Sequence, residues 1–207
     1  MYIPPAFRED EPAALRRLIL EHPFATLVTA GAPGLCASHV PILWAPEGGP
    51  HGTLRGHLAR ANGQWQALET GEEVLAVFHG PHAYVSPAWY EADLAVPTWN
   101  YAVVHAYGRP RLVTDEERFR EMLEELVRAF ETPRTEPWST ANLPEDWLRG
   151  LMRGIVGFEI EVNRLEGKFK LGQNRPLADQ QRVAARLAAG DNNADRALAA
   201  LQSERLR

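Results

Sequence analysis

A single cysteine in 207 residues leaves this chain without an intramolecular disulfide and without a cysteine-cluster zinc site. That residue, Cys36, lies in the strand-like run Cys36-Ala37-Ser38-His39-Val40, where it reads as a buried structural thiol. Lysine is almost as scarce: of 22 basic residues only Lys168 and Lys170 are lysine, the rest being arginine. Two residues apart on a strand they share one face, either by chance or as a functional pair. No apolar run approaches the roughly 20 residues that a membrane span needs, and the opening MYIPPAFRED lacks signal-peptide anatomy. A cytoplasmic protein with no membrane partner is the expectation. Net charge is −5 and pI about 5.8, so no global basic field holds nucleic acid by its phosphates. There is no Ser/His/Asp signature, no HExxH, no Walker loop and no GxGxxG opening a helix. His79 and His82 flank Gly80-Pro81 like a metal pair, but no third histidine or nearby carboxylate completes a site.

What the chain does have is 45% hydrophobic content, enough for one domain of ordinary make-up. Its richest aromatic stretch runs from Tyr84 to Val113 and holds Tyr84, Trp89, Tyr90, Trp99, Tyr101 and Tyr107. Ser86-Pro87 and Val96-Pro97 form two stiff corners, and Trp99 to Val113 reads as a long strand. Arg109-Pro110 predicts a bend, a bulge or an edge within it. The stretch is either a hairpin with an aromatic core or a pair of rigid walls for a flat ring.

The remaining pattern predicts a helix capped by Asp10, with Pro12 in its first turn, through Glu21. Strands follow at 24–29 and 36–44, joined by the turn Gly31-Ala32-Pro33-Gly34, then at 51–58 and at 73–78. A short helix to Leu68 follows the strand at 51–58. Thr114 and Glu117 form a capping box for a helix whose apolar face holds Phe119, Met122, Leu123, Leu126, Val127 and Phe130. A short helix over 144–152, a closing hairpin of 155–162 with 165–171, and a helical tail broken at Gly190-Asp191 complete the chain. The sum is mainly β with added helices, a small antiparallel barrel.

Chemistry points first to Gly56-His57-Leu58-Ala59-Arg60-Ala61-Asn62, where a strand ends and a helix begins. Outward backbone N–H groups and the Arg60 cation there suit a phosphate monoester; an ordinary solvated strand end is the other reading. Lys168, Lys170 and Gln173-Asn174-Arg175 form a second cationic and polar cluster. Beside aromatic walls, the two could hold a flat heterocycle that carries a phosphate.

Five motifs in order, MYIPPAF, GHLARAN with Gln64-Trp65, YVSPAWY, VPTWNY and KLGQNR, carry a resemblance to the PaiB-type family of FMN-binding negative transcriptional regulators. It runs over residues 1 to about 176. The resemblance implies an FMN-binding split β-barrel of antiparallel Greek-key type, related to pyridoxamine-phosphate oxidases, with FMN in the groove of a homodimer. It implies a split-barrel domain at 1–175 and a C-terminal helical extension at 176–207. By the same analogy His57, Arg60 and Asn62 contact the FMN phosphate and ribityl chain, and Tyr84, Val85 and Trp89 lie near the isoalloxazine. Trp99, Asn100 and Tyr101 approach from the wall or across the dimer, and Lys170, Gln173, Asn174 and Arg175 close the site. Gly172 departs from the expected KLSQNR form and removes one hydroxyl.

Two functions stay open at this point, beside a third reading in which the fold no longer binds flavin well and works through its dimer surface. One is a negative regulator that touches promoter DNA, although no helix-turn-helix stands out and the tail from Arg175 has a balance of only +2. The other is an FMN-dependent oxidoreductase of the pyridoxamine-phosphate-oxidase-like type, in which the flavin supplies the chemistry and no acid–base motif is required.

Overall fold

A computed structural model describes residues 1–31, 34–91 and 94–206, apart from the Asn142 side chain. The centre of the expected turn at 31–34, residues 32 and 33, and the terminal residue 207 lie outside these. In chain order the elements are β1 (Arg8–Glu9), α1 (Pro12–Glu21), β2 (Phe24–Gly31), β3 (Gly34–Pro41), β4 (Leu43–Ala45) and β5 (Thr53–Ala59). There follow α2 (Gln64–Glu69), β6 (Val74–Val85), β7 (Thr98–Val113), α3 (Glu116–Glu131), α4 (Glu145–Arg153), β8 (Ile155–Lys170), α5 (Leu177–Ala188) and α6 (Asn193–Arg205). The strands form one eight-stranded sheet ordered β3-β2-β6-β7-β8-β5-β4, with β1 added on β8. β2 runs antiparallel to β3 and β6, and β8 runs antiparallel to β5 and β1. No pairing joins β3 to β4 among the described residues, so the barrel is split, as expected.

Several expectations need correction. The run at 36–44 is two strands on opposite ends of the sheet path, β3 on β2 and β4 on β5. Pro41 has no N–H to extend the first ladder, and fully buried Ile42 turns the corner, its N–H donating to the Pro23 carbonyl at 2.8 Å. The expected closing hairpin is one 16-residue strand, β8. A two-residue turn at Asn163-Arg164 needs left-handed backbone, and no described non-glycine residue has positive φ. β7 continues to Val113 without interruption at Pro110. Two helix caps move by one residue. Glu11 caps α1, because Pro12 takes the first helical position. Asp115 caps α3, its carboxylate accepting from the Arg118 N–H at 2.8 Å.

The chain divides into two compact units. The first comprises Met1–His22, Phe78–His105 and Glu166–Arg207, and buries Leu18, Ile19, Phe78, Val85, Val104, Phe169, Leu187 and Leu198. The second comprises Pro23–Val77 and Ala106–Leu165, and buries Leu27, Ile42, Leu54, Leu58, Leu68, Phe158 and Ile160. In the second unit α3 lies on the sheet at Gly157, where a Cβ would come 2.6 Å from the Phe119 ring and 3.0 Å from Met122. Only glycine admits that approach. No helix among the described residues is long and apolar enough to cross a membrane.

Candidate functional site

In the first unit, strand alternation sorts the aromatic stretch into two faces. Ala83, Val85, Asn100, Ala102, Gly167 and Phe169 point inward and are buried. Tyr84, Trp99, Tyr101, Lys168 and Lys170 point the other way. The ring of Trp99, 54% exposed, meets that of Tyr84, 44% exposed, edge-on with centroids 6.1 Å apart. His82 tilts against Trp99 from 6.3 Å. Lys168 Nζ sits 5.4 Å from the Tyr101 centroid and 5.5 Å from that of Tyr2. Lys170 Nζ donates to Thr98 Oγ1 and to the Trp99 carbonyl at 2.8 Å, leaving one N–H for a ligand. Burial, with Lys168 close by, lowers its pKa from the ordinary lysine value. The two lysines of the chain therefore share one face with exposed Tyr84 and Trp99, a cationic and flat surface in which the lysine stems add to the wall.

Not every expected residue belongs to that face. Val85 is fully buried and offers a ligand only its backbone; Asn100 is 2% exposed. Gln173 is spent on its own loop, Oε1 accepting from the Leu171 N–H at 2.7 Å and Nε2 donating to the Phe169 carbonyl. Arg175 stacks over Tyr90, 4.5 Å from the centroid, while Asn174 is exposed and Trp89 lies half-buried in a short 3-10 turn, Pro87–Trp89, whose Ser86 hydroxyl accepts from the Ala88 N–H. Gly172 has φ +89°, and a Cβ there would sit 3.7 Å from Asn100 Nδ2. Space allows a serine, but backbone conformation favours glycine.

His57, Arg60 and Asn62 belong to the second unit. His57 faces Gly157 in the β5–β8 register. Its Nδ1 is buried with no partner among the described residues, and burial lowers its pKa. Asn62 is structural: its Oδ1 accepts from the Gln64 N–H at 3.1 Å and its Nδ2 donates to Ser38 Oγ at 2.8 Å. Nor do the backbone donors point outward as expected, since the N–H groups of Arg60 and Asn62 bond the carbonyls of Gly154 and Ala59. Arg60 Nε and Nη2 reach the carbonyls of Arg153 and Ile155 at 2.8 and 3.1 Å. Arg60 thus caps the C-terminus of α4 and ties it to the start of β8. The same side chain lines a cavity of about 400 Å³ with Trp65, Arg149, Arg153, Phe119 and Met152, so a guanidinium edge stands beside an apolar floor. Other arginines of this unit are committed: Arg55, Arg111 and Arg118 converge on buried Glu159 at 3.1, 2.8 and 3.0 Å. Burial alone would raise the Glu159 pKa, but hydrogen bonds from Arg118 and Arg111 outweigh it and hold the group below the usual glutamate value.

Sequence reasoning gave Tyr2, inside the MYIPPAF motif, no place in the site, weighed His82 only as half of a metal pair, and put Lys168 in the cationic cluster without assigning it an FMN contact. On the face of the first unit the residues present fit FMN in kind: exposed flat rings beside two lysines.

The comparisons agree with this chemistry. A family model described as "Putative FMN-binding domain" matches residues 1–164. The chain is 34% identical over 207 residues to the protease synthase and sporulation protein PAI 2 of Bacillus subtilis, covering 100% of this chain and 99% of that one. Among solved structures it resembles the flavocytochrome Anf3 from Azotobacter vinelandii, with TM-score 0.58 at 13% identity over 79% of this chain and 69% of that one. The FAD and heme binding protein from Mycobacterium smegmatis gives the same score and identity, over 79% of this chain and 73% of that one. At such identity these two establish the fold, a flavoprotein split barrel. With the family model and the full-length relative added, the chain belongs to the FMN-binding domain family that includes the PAI 2 protein, and FMN is the cofactor of that family.

Proposed function

We propose that this protein is a homodimeric, FMN-binding negative regulator of transcription. The observation that carries the flavin part is the solvent-facing row of Tyr84, Trp99 and Tyr101 beside Lys168 and Lys170. Tyr84 and Trp99 hold their rings side by side in water, and an isoalloxazine stacked there, under a second subunit, would cover them. The two lysines would favour negative charge on a flavin held there. Arg60 of the second unit offers a guanidinium edge to a phosphate monoester; each assignment rests on its own geometry and is tested by its own variant. The regulatory role is supported by full-length identity to a relative whose name ties it to protease synthesis and sporulation.

The test is titration of the purified protein with FMN, read by flavin absorbance and by quenching of tryptophan fluorescence, with mass measured by light scattering. Saturable binding to a particle of twice the chain mass is expected, with Trp99→Ala weakening both the quench and the affinity. No binding by the native protein overturns the flavin reading. A gel-shift with promoter DNA then tests repression. Turnover of NADH by the FMN-loaded protein without DNA retention would assign the oxidoreductase function instead.

A further inference from the structure

We propose that the C-terminal helical hairpin α5–α6 is a working part of the flavin site, with Asp179 and Gln202 as positioning residues for the segments at 86–91 and 171–175. This rests on the flavin reading above. Residues 177–205 lie beyond the matched family model, which ends at residue 164, and no resemblance assigned them a role in the site.

Asp179 is 3% exposed, and its Oδ1 accepts from the backbone N–H of Glu91 at 2.9 Å. Arg182, one turn later, pairs with the Glu91 carboxylate. α5 therefore grips Glu91 by backbone and side chain together, just after Trp89 and Tyr90. Gln202 of α6 is 2% exposed and donates from Nε2 to the Leu171 carbonyl at 2.8 Å. Leu171 precedes Gly172, where the chain turns into Gln173-Asn174-Arg175. Gln180 Nε2 donates to the Arg175 carbonyl at 2.8 Å, and Arg175 in turn covers Tyr90. Two loops separated by some 80 residues of sequence are thus fastened to one hairpin and to each other.

The chemistry argues that this is positioning and not simple stability. Packing two helices requires only apolar contacts, and a buried carboxylate or amide is a cost unless its hydrogen bonds serve something. Both groups reach outward from the hairpin to loop backbone, Asp179 to Glu91 and Gln202 to Leu171. Gln202 Oε1 has no partner at all among the described residues. Asp179 sits in the first turn of α5, at the positive end of the helix.

The test pairs FMN titration with amide hydrogen exchange of the flavin-free protein, on Asp179→Ala, Asp179→Asn, Gln202→Met and, as a control on the same hairpin, exposed Arg186→Ala. Losing one charge-assisted hydrogen bond should weaken FMN binding about tenfold in Asp179→Ala. Exchange should accelerate over 86–91 while α5 and α6 keep their protection. Asp179→Asn keeps an acceptor oxygen and should restore most of the affinity, Gln202→Met should loosen 171–175, and Arg186→Ala should change nothing. Native exchange over 86–91 in Asp179→Ala and over 171–175 in Gln202→Met overturns the proposal, whatever FMN does. If loosened segments leave FMN affinity as in the native protein, the hairpin does not serve the site. If the native protein itself fails to bind FMN, the flavin reading falls, and the exchange data still decide whether these residues hold the loops.

Discussion

Replacing Arg60 with alanine separates two roles that the sequence merges. In the folded chain its guanidinium donates to the carbonyls of Arg153 and Ile155 at 2.8 and 3.1 Å, the first of which closes the last turn of α4. A net hydrogen bond of this kind contributes about 0.5–1.5 kcal/mol, and an exposed one falls in the lower part of that range. Two of them give about 1–2 kcal/mol, which for a chain of this size is a drop of roughly 2–8 °C in Tm. The Tm must be measured without flavin, since a ligand of the folded state shifts it by mass action. If the free edge also meets a phosphate, FMN binding weakens by about 1–3 kcal/mol, some 5- to 150-fold in Kd. Arg60→Lys keeps the cation but not the planar fork, so it should recover affinity in part while Tm stays low. An unchanged Tm in Arg60→Ala refutes the capping role, and an unchanged Kd removes Arg60 from the cofactor site.

Gly157→Ala should destabilise the protein by about 1–3 kcal/mol, because the new methyl lies 2.6 Å from Phe119 and overpacks the seat of α3; a denaturant midpoint at or above the native one would show that α3 yields freely. Burial holds the His57 pKa below its unfolded value, so the unfolded state binds more protons and stability falls as pH drops below about 6.5. His22, lowered for the same reason, adds to that slope, so His57→Gln should flatten the dependence of Tm on pH between 7.5 and 5.5 only in part. An equally steep dependence in that variant would mean that its imidazole is solvated.

Much of the fold was visible in residue order. Apolar periodicity and caps placed each α-helix of the described residues to within a few residues, and the stripe Leu15, Leu18, Ile19 is buried as expected. What misled was the strand pattern itself. A period of two runs on through the corner at Ile42, so one expected strand was two; at Asn163-Arg164 the buried positions switch from Phe158, Ile160 and Val162 to Gly167 and Phe169, and that break reads as a turn although the strand continues. Periodicity records which side a residue faces, and neither partner strand nor chain direction enters it.

The site divides along the same line. The sequence by itself determined the family, the cluster of aromatics and the shared face of Lys168 and Lys170, because motif order and a spacing of two are properties of the chain. Only the tertiary structure decided which of these groups are free to meet a ligand. Trp99 and Tyr84 face solvent while Val85 and Asn100 are enclosed. Arg60, Asn62 and Gln173 spend their donors on carbonyls and side chains that, for Arg60, lie more than 90 residues away. A hydrogen-bonding group satisfies the nearest partner in space, and which partner is nearest is fixed only once distant segments have packed.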